Sequence, residues 1–386
     1  MKAFVIAGEP SGDKLGAAVM AGMRAEVMQV HFDGIGGPLM EGQGLRSLFP
    51  MQELSLMGIA EILPKYRHLK RRIRETAEAV IAAKPDVLIT IDSPDFCLRV
   101  ARLVKAASDI RTVHYVAPTV WAWRAGRAAK MAQVIDHVLA LFPFEPPYMQ
   151  EAGMDCDFVG HPVTAEPAIT PDELAAFRTK VGLTEDRGTL VVLPGSRRGE
   201  VERLSARFSD AIAQADLGEV QIVIPTLTHL RDTVEAMFAP VLKGAAYGVV
   251  VSGDGETPEH AARDRLVAMA AGDLALAASG TVSLELAFAR TPMVIAYDMN
   301  WLSRQIISRM LLTDTVTLVN LVSETRIVPE FIGQNCEAGP IARALKGVMA
   351  APEDQLAALN LTMERLGQGG DAPGLRAARA ILARMP

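Results

Sequence analysis

An aspartate that directly follows a short apolar run is the first residue with an evident chemical use. Val87–Ile91 is typical of a buried β-strand, and Asp92 comes directly after it. Ser93 suits the N-cap of a following helix and Pro94 its first turn, where the helix dipole favours the charge of Asp95. Asp92 has no such local explanation. Its position is compatible with a general base that accepts a proton from a hydroxyl, or with an ordinary strand-end carboxylate.

A turn in the second half of the chain has the composition of a phosphate site. The apolar run Thr189–Leu193 leads into Gly195, Ser196 and Arg197, and a helical segment follows. Backbone N–H groups at a helix start attract anions, and arginine presents a fixed fork of donors. We therefore expect a diphosphate here, the alternative being two solvated arginines, Arg197 and Arg198, at a turn. The Gly-Lys-Ser/Thr ending of a Walker loop is absent.

A second turn of the same half suits the rest of a nucleotide. The run Leu274–Ala278 is followed by Ser279, Gly280 and Thr281, and Glu285 comes one helical turn later. Thr281 is a candidate N-cap, and small residues let a ligand approach the backbone. Glu285, on the same helix face, is placed to accept hydrogen bonds from a ribose diol, unless it merely faces solvent. Two neighbouring strand ends prepared in this way predict a nucleotide site better than either alone.

Three further segments allow both a functional and an ordinary interpretation. The loop Gly8–Asp13 exposes backbone N–H groups after the first strand, or simply turns the chain, with Ser11 or Asp13 capping the next helix. Trp121, Trp123 and Arg124 suit a sugar-stacking wall, although core packing is favoured. A basic run follows the apolar residues 54–64 and indicates either a solvated helix face or a surface that rests on an anionic bilayer. The candidate membrane-facing residues of this apolar and basic patch are Ile62, Leu63, Lys65, Arg67, Lys70, Arg71, Arg72 and Arg74.

Composition excludes several classes of protein. The net charge of −6 argues against a nucleic-acid binder. The three cysteines form no C-x-x-C pair, so we expect neither disulfides nor a zinc site. We accordingly expect the protein in the reducing cytosol. Asp155 and Asp157 spell a D-x-D pair far from the other candidates, so we expect no metal and no cofactor. The first apolar run is too short for a signal-peptide core, and no run of 18 apolar residues suggests a membrane span.

These candidates must be positioned by an α/β architecture. Apolar strands of about five residues alternate with helices, which predicts parallel sheets covered on both faces. Predicted strands are Ala3–Ala7, Val87–Ile91, 111–116, 136–141, 156–160, Thr189–Leu193, Val220–Pro225, Tyr247–Ser252, Leu274–Ala278 and Met293–Tyr297. The length of 386 residues suits two Rossmann-like lobes, residues 1–163 and 164–350, followed by C-terminal helices at 351–386 that are candidates for packing on the first lobe. A ligand cleft is expected between the lobes, at the carboxyl ends of the strands.

Taken together, the segments resemble the lipid-A-disaccharide synthase family. The matching stretches run through nearly the whole chain, in family order. They are AGEPSGDKLGA (7–17), LMGIAEILP (56–64), KPDVLITIDSPDF (84–96), HYVAPTVWAWR (114–124), FPFE (142–145), FVGHP (158–162), LPGSRRGEVERL (193–204), ASGTVSLELA (278–287) and VNLV (319–322).

The resemblance implies a GT-B fold and inverting transfer of 2,3-diacylglucosamine from UDP to the 6-hydroxyl of 2,3-diacylglucosamine 1-phosphate. The products would be the β(1→6) disaccharide 1-phosphate and UDP. It implies that Asp92 is the catalytic base and that Arg197, Glu285 and Asn320 bind the UDP moiety. The residues it places on the acceptor side of the cleft are Glu9, Ser11, Gly12 and Asp13. It also implies a peripheral enzyme on the cytoplasmic face of the bacterial inner membrane, and it leaves monomer and homodimer open.

Two other functions fit parts of this pattern. A UDP-sugar 2-epimerase would use the same two-lobed fold, but it needs further acids and a histidine at the sugar C2 and gives no role to the apolar and basic patch. A nucleotide-binding protein without catalysis would keep the phosphate and ribose turns and would need no base at Asp92.

Overall fold

The computed structural model describes residues 1–54, 59–122, 126–253, 256–299 and 312–385. The chain divides into two compact units. The first comprises Met1–Ala165 together with Leu366–Pro386, and the second comprises Glu166–Arg365. The unit boundary near residue 165 lies close to the lobe boundary expected at residues 163–164, whereas the C-terminal helices are shared between the two units.

The first unit is built on a parallel sheet of seven strands. These strands are β1 (Lys2–Ala7), β2 (His31–Ile35), β3 (Arg46–Ser47), β4 (Val87–Ile91), β5 (Arg111–Tyr115), β6 (His137–Ala140) and β7 (Asp155–Phe158). Their order is β3-β2-β1-β4-β5-β6-β7, so the direction of winding reverses between β1 and β4. Such a reversal opens a crevice at the carboxyl ends of the two central strands, where ligands of doubly wound sheets bind.

Helices cover this sheet. They are α1 (Pro10–Glu26), α2 (Pro38–Gly42), α3 (Ile59–Ala83), α4 (Pro94–Lys105), α5 (Gly126–Met131) and α6 (Pro146–Glu151). Strands β1 and β4 are apolar along almost their full length and buried, as expected for a parallel sheet covered on both faces. The strand β2 was not predicted, because its sequence HFDGI carries a charge and a glycine. A side chain at Gly34 would meet the Val5 carbonyl oxygen at 1.8 Å, so this position admits only glycine.

The second unit contains a parallel sheet of six strands. These are β8 (Thr189–Leu193), β9 (Gln221–Pro225), β10 (Tyr247–Val251), β11 (Leu274–Ala277), β12 (Met293–Tyr297) and β13 (Glu330–Ile332), in the order β10-β9-β8-β11-β12-β13. Its helices are α7 (Pro171–Val181), α8 (Arg198–Ala215), α9 (Arg231–Gly244), α10 (Pro258–Ala270), α11 (Val282–Ala289), α12 (Leu318–Ser323), α13 (Ala338–Ala350) and α14 (Glu353–Arg365). Winding reverses between β8 and β11. The predicted α/β architecture with two parallel sheets is confirmed.

The last helix, α15 (Pro373–Leu382), packs on α1 within the first unit. Small residues allow the two helices to approach closely: a Cβ on Gly22 would lie 2.6 Å from the Gly374 carbonyl oxygen, and one on Gly374 would lie 2.5 Å from that of Ala18. Beyond the helix, Arg384 pairs with both Asp155 and Asp157. These two carboxylates of the D-x-D pair therefore hold the C-terminal segment on β7.

The close helix crossing predicts a large cost for a single methyl group. We expect Gly374→Ala to lower the free energy of unfolding by about 1–3 kcal/mol, because backbone on both sides must shift to admit the side chain. The matched control is Gly347→Ala in α13, where a Cβ would meet no atom within 4 Å. That change should raise stability by up to about 1 kcal/mol through helix propensity. Denaturant unfolding of the two variants checks the prediction, and equal effects would contradict the packing argument.

Candidate functional site

A cavity of about 400 Å³ opens at the carboxyl ends of β8, β9 and β11 in the second unit. It lies at the point where the strand order of this sheet reverses, the usual ligand position in doubly wound folds. Its volume falls within the range of small-molecule sites. The lining residues are Leu193, Gly195, Ser196, Arg197, Glu200, Pro225, Thr226, Leu227, Arg265, Met269, Ala278, Ser279, Gly280, Thr281, Val282 and Glu285. The two predicted nucleotide turns are thus brought to one cavity.

The turn after β8 forms one wall. Gly195 has a φ of 120°, and a Cβ there would lie 2.8 Å from the Glu200 side chain. The Glu200 carboxylate folds back over the turn, where Oε2 accepts hydrogen bonds from the backbone N–H of Ser196 (3.2 Å) and of Arg197 (3.3 Å). Its Oε1 lies 3.1 Å from Arg197 Nη1. The Arg197 side chain is 66% exposed, so its guanidinium is free to turn toward a ligand.

The start of α11 forms the opposite wall. Thr281 occupies the N-cap position, but its side chain makes no capping hydrogen bond, so the predicted cap is wrong in that detail. Instead, Ser283 Oγ donates to the Gly280 carbonyl oxygen at 3.0 Å. A Cβ on Gly280 would meet nothing within 4 Å, which leaves the backbone of this turn open to the cavity. Backbone N–H groups in the first turn of a helix lack intrahelical partners and favour an anion.

Two polar atoms on the cavity wall are buried and lack a hydrogen-bond partner: Arg265 Nε and Thr226 Oγ1. Arg265 also pairs with Glu285, Nη2 to Oε1 at 2.8 Å, and thereby fixes that carboxylate. Buried polar groups are nearly always satisfied in proteins, so a ligand that completes them is the natural explanation. Sequence reasoning missed both residues. Thr226 directly follows β9, and extending the strand-end rule to this strand would have found it; Arg265 lies inside α10 without any local signal.

Asn320 is the predicted nucleotide residue that does not line this cavity. It is 1% exposed, and its side chain is engaged within its own segment. Nδ2 donates to the Val328 carbonyl oxygen at 2.9 Å, and Oδ1 accepts from the Val328 N–H at 3.0 Å. These contacts give Asn320 a structural use in joining α12 to the approach to β13.

Backbone strain marks the candidate base in the first unit. Asp92 has a φ of 48° and Ser93 a φ of 44°, and Val116, after the neighbouring strand, has a φ of 86°. Asp92 N–H donates to the Tyr115 carbonyl oxygen at 3.0 Å, which ties the ends of β4 and β5 together. Non-glycine residues at positive φ are uncommon, a β-branched one is a marked outlier, and such strain concentrates at functional sites. Ser93 occupies the predicted N-cap position but makes no side-chain cap.

Burial raises the pKa of Asp92, against a hydrogen bond from the Ser93 backbone that lowers it. The side chain is half-buried, at the reversal point between β1 and β4. A carboxylate with a raised pKa holds a proton more strongly once it has accepted one, which suits a general base better than an ordinary surface aspartate.

The segment Gly8–Asp13, which comprises the turn after β1 and the first residues of α1, contains two kinds of residue. Asp13 is 3% exposed, and its carboxylate accepts hydrogen bonds from the backbone N–H groups of Gly37 (2.8 Å), Leu39 and Met40 (both 3.0 Å). Asp13 therefore caps α2, which corrects its predicted place on a cleft wall. Buried Gly12 lets α1 pack against Ala7 and Ile91. Glu9 is half-buried and Ser11 exposed, so these two are the accessible ones among the four residues that the resemblance places on the acceptor side.

The aromatic segment after β5 is only partly described, since Trp123 and Arg124 lie outside the described residues. Trp121 packs edge-on against Phe144, with ring centroids 5.1 Å apart, and its Nε1 donates to Glu145 Oε1 at 3.3 Å. Burial raises the pKa of Glu145 to about 7, against hydrogen bonds from the Phe142 and Leu141 backbone and the Trp121 side chain that lower it. These contacts fit the core interpretation of Trp121.

The basic run lies on α3, where Arg67, Lys70, Arg71 and Arg74 are exposed. Arg72 differs from them. Its guanidinium donates to both oxygens of Glu53, each at 2.8 Å, and its Cζ lies 4.2 Å from the centre of the Phe49 ring. Arg72 therefore anchors α3 to residues 49–53, which include a short 3₁₀ helix (Met51–Glu53), and this corrects its predicted membrane-facing role. The predicted side chains of Ile62, Leu63 and Lys65 lie outside the described residues. Within the described part of the chain, no helix is long and apolar enough to cross a membrane.

The fold is shared with solved structures of low sequence identity. MurG from Acinetobacter baumannii aligns with a TM-score of 0.58 at 12% identity, covering 100% of this chain and 99% of that chain. A UDP-GlcNAc 2-epimerase from Neisseria meningitidis aligns with a TM-score of 0.59 at 12% identity, covering 99% of both chains. Together with its two parallel sheets, these likenesses place the chain in the GT-B class of folds.

Sequence relatives define the family. The profile of the lipid-A-disaccharide synthetase family matches residues 3–366. A lipid-A-disaccharide synthase of Ruegeria pomeroyi is 61% identical, with 100% of this chain and 96% of the relative aligned. The synthase of Rhodospirillum centenum is 43% identical over 98% of this chain and 93% of its own length. The chain belongs to the lipid-A-disaccharide synthetase family.

Proposed function

We propose that this chain catalyses the inverting, metal-independent transfer of 2,3-diacylglucosamine from UDP to the 6-hydroxyl of 2,3-diacylglucosamine 1-phosphate. The observation that carries this proposal is the cavity at the reversal point of the second sheet, where a phosphate turn and a ribose turn meet. Family membership supplies the identity of the two sugars, and the polar groups of the cavity supply the chemistry.

The donor nucleotide is assigned to this cavity. The diphosphate lies against the backbone N–H groups at the starts of α8 and α11, with Arg197 as its bidentate partner. Glu285, oriented by Arg265, accepts hydrogen bonds from the ribose hydroxyls. The turn at Pro225–Leu227 borders the rest of the nucleotide and offers the unpaired Thr226 hydroxyl. Among these groups, Arg197 and the helix starts supply positive potential for a leaving diphosphate, which is the usual task of a metal ion in such transfers.

The acceptor half of the reaction is assigned to Asp92. Its carboxylate takes the proton of the 6-hydroxyl while O6 forms a bond to the anomeric carbon of the donor sugar. The bond from that carbon to the diphosphate oxygen breaks on the opposite face, and UDP leaves with its new negative charge stabilised by Arg197 and the helix starts. One displacement inverts the α-linked donor to the β(1→6) product, so a single base suffices.

A product assay tests the proposal. UDP-2,3-diacylglucosamine and the monosaccharide 1-phosphate are incubated with the protein in detergent containing EDTA, and mass spectrometry follows disaccharide 1-phosphate and UDP. Formation of both at the full rate in EDTA is the expected result. Strong inhibition by EDTA that Mg²⁺ or Mn²⁺ reverses would contradict metal independence. Epimerised donor formed without acceptor would replace the transferase by the 2-epimerase.

The exposed cations of α3 are proposed to dock the protein on an anionic bilayer, the cytoplasmic face of the inner membrane. Both substrates carry acyl chains, so an enzyme resting on the bilayer meets them there. We expect Arg67→Glu with Arg71→Glu to weaken binding to phosphatidylglycerol vesicles about thirtyfold, since each basic residue near the surface contributes about 1 kcal/mol. Vesicle sedimentation at low and high salt measures it. The control, Arg343→Glu with Lys346→Glu on α13, should bind the vesicles as tightly as the parent protein. Equal losses of vesicle affinity in the two double variants would contradict the assignment of the docking surface to α3.

A further inference from the structure

A carboxylate of the protein already occupies the donors that the proposed diphosphate needs. Glu200 accepts from the backbone N–H groups of Ser196 and Arg197 and lies 3.1 Å from the Arg197 guanidinium. These are the donors of the phosphate turn itself. Gly195, at a φ of 120°, leaves the space in which this carboxylate folds back. The turn therefore wraps an internal anion.

The charges that line the cavity cancel. Among its lining residues, Arg197 and Arg265 are cationic, and Glu200 and Glu285 are anionic. Arg265 pairs with Glu285, and Arg197 pairs with Glu200. A diphosphate carrying at least two negative charges thus enters a neutral cavity, and it gains the full attraction of Arg197 only if that guanidinium leaves Glu200.

The pair is built to separate. The Arg197 side chain is mostly exposed, so its guanidinium exchanges Glu200 for water or a ligand at little cost. The Glu200 side chain is only 14% exposed and keeps its two backbone N–H donors when Arg197 leaves. The Tyr297 hydroxyl already donates to Glu200 Oε1 at 3.4 Å, and this donor stays with the carboxylate when Arg197 turns away.

We propose that Glu200 is a built-in competitor of the nucleotide diphosphate: it neutralises Arg197 in the empty cavity, yields the guanidinium to the incoming diphosphate, and reclaims it as UDP departs. This inference rests on the proposed nucleotide cavity. Glu200 thereby weakens nucleotide binding and hastens UDP release. It acts through Arg197 as a positioning residue and does not touch the reacting atoms.

A helix cap is the ordinary role of a glutamate at this place, three residues after the N-cap. The two roles predict opposite changes in UDP affinity when the charge of Glu200 is removed. A cap that merely holds the turn would support nucleotide binding, so removing its charge would leave binding unchanged or weaken it. A competitor opposes binding, so removing its charge strengthens it.

Calorimetric titration with UDP distinguishes the roles, using Glu200→Gln. Glutamine keeps an oxygen that accepts from the backbone N–H groups, so the cap is retained while the charge is removed. We expect UDP to bind about fivefold more tightly at low salt, the factor for one partly screened charge pair, with the difference shrinking at high salt. Glu202→Gln, exposed on the same helix and away from the cavity, is the matched control and should bind UDP as the parent.

Steady-state kinetics give a second readout. The KM for the donor should fall, and inhibition by UDP should strengthen by the same factor, while a merely structural variant would lose kcat without tighter UDP. Tyr297→Phe, a second variant, leaves the cap and charge in place and removes the alternative donor, so UDP should bind about two- to threefold more weakly. Unchanged or weaker UDP binding by Glu200→Gln would overturn the competitor role while leaving the nucleotide site intact. Failure of the parent to bind UDP would instead overturn the proposed cavity.

Discussion

Replacing Asp92 with asparagine is expected to lower kcat for disaccharide formation about a thousandfold, within the range that general-base catalysis contributes. Asparagine is nearly the same size, tolerates the positive φ of this position, and lacks a carboxylate that accepts the proton. The fold and the UDP cavity of the second unit should therefore remain intact. The rate is measured by disaccharide release, and UDP affinity by calorimetry.

The matched control is Asp95→Asn, an exposed carboxylate three residues along the chain in the first turn of α4. We expect it to retain the parent rate. An Asp92→Asn enzyme as active as the parent would show that another group takes the proton, although transfer itself could still occur. Loss of UDP binding in this variant would point to structural damage and not to a missing base.

The pH dependence gives the same base a second signature. Burial raises the pKa of Asp92, so the carboxylate becomes protonated at a higher pH than an ordinary aspartate. A protonated base cannot accept the proton of the acceptor hydroxyl, and kcat/KM should fall as the pH is lowered through this raised pKa. The residual rate of Asp92→Asn should lack that acid limb. If both enzymes show the acid limb at the same pH, the limb reports the titration of a different group.

The nucleotide cavity was accessible from the sequence because its parts follow a local rule. The runs predicted at Thr189–Leu193 and Leu274–Ala278 are the central strands β8 and β11, and the polar residues after each strand meet at the carboxyl edge of the sheet. Parallel packing forces neighbouring strand ends together, so the pattern of apolar runs sufficed. Asp92 was accessible by the same rule.

Pairings between distant segments were not accessible in this way. The carboxylate of Asp13 accepts from backbone N–H groups of residues 37–40, and Arg72 binds Glu53, 19 residues earlier in the chain. Neither pairing has a local sequence signal. Asp13 was therefore interpreted as a cleft residue or as a cap of the next helix, and Arg72 as a membrane-facing or solvated side chain. Arg265 illustrates the opposite error. An arginine in the polar stretch of a helix looks like a solvated side chain, and only the fold shows Arg265 against Glu285 in the cavity wall.

Replacing Arg197 with alanine is expected to lower kcat/KM several-hundredfold, roughly the cost of removing one preorganised stabiliser of a developing anion. The guanidinium is the cation of the phosphate turn that is exposed enough to turn toward a diphosphate. Arg197→Lys should recover part of the loss, because lysine restores the charge without the planar fork of donors. Disaccharide formation measures the rate, and UDP titration separates binding from chemistry.

Arg198→Ala is the matched control for this variant. Arg198 is exposed and adjacent in sequence, but it does not line the cavity, so its loss should change kcat/KM little. Equal losses in the two alanine variants would mean that general basic charge at the start of α8 attracts the nucleotide. Retained activity in Arg197→Ala would mean that the backbone N–H groups hold the diphosphate alone.

If Arg197→Ala retains activity, Glu200 has also lost its partner in this variant, and its charge could oppose UDP only by direct repulsion. The double variant Arg197→Ala with Glu200→Gln distinguishes competition through Arg197 from direct repulsion. If Glu200 acts through Arg197, Glu200→Gln raises UDP affinity only while Arg197 is present, so the effects of the two substitutions are not additive.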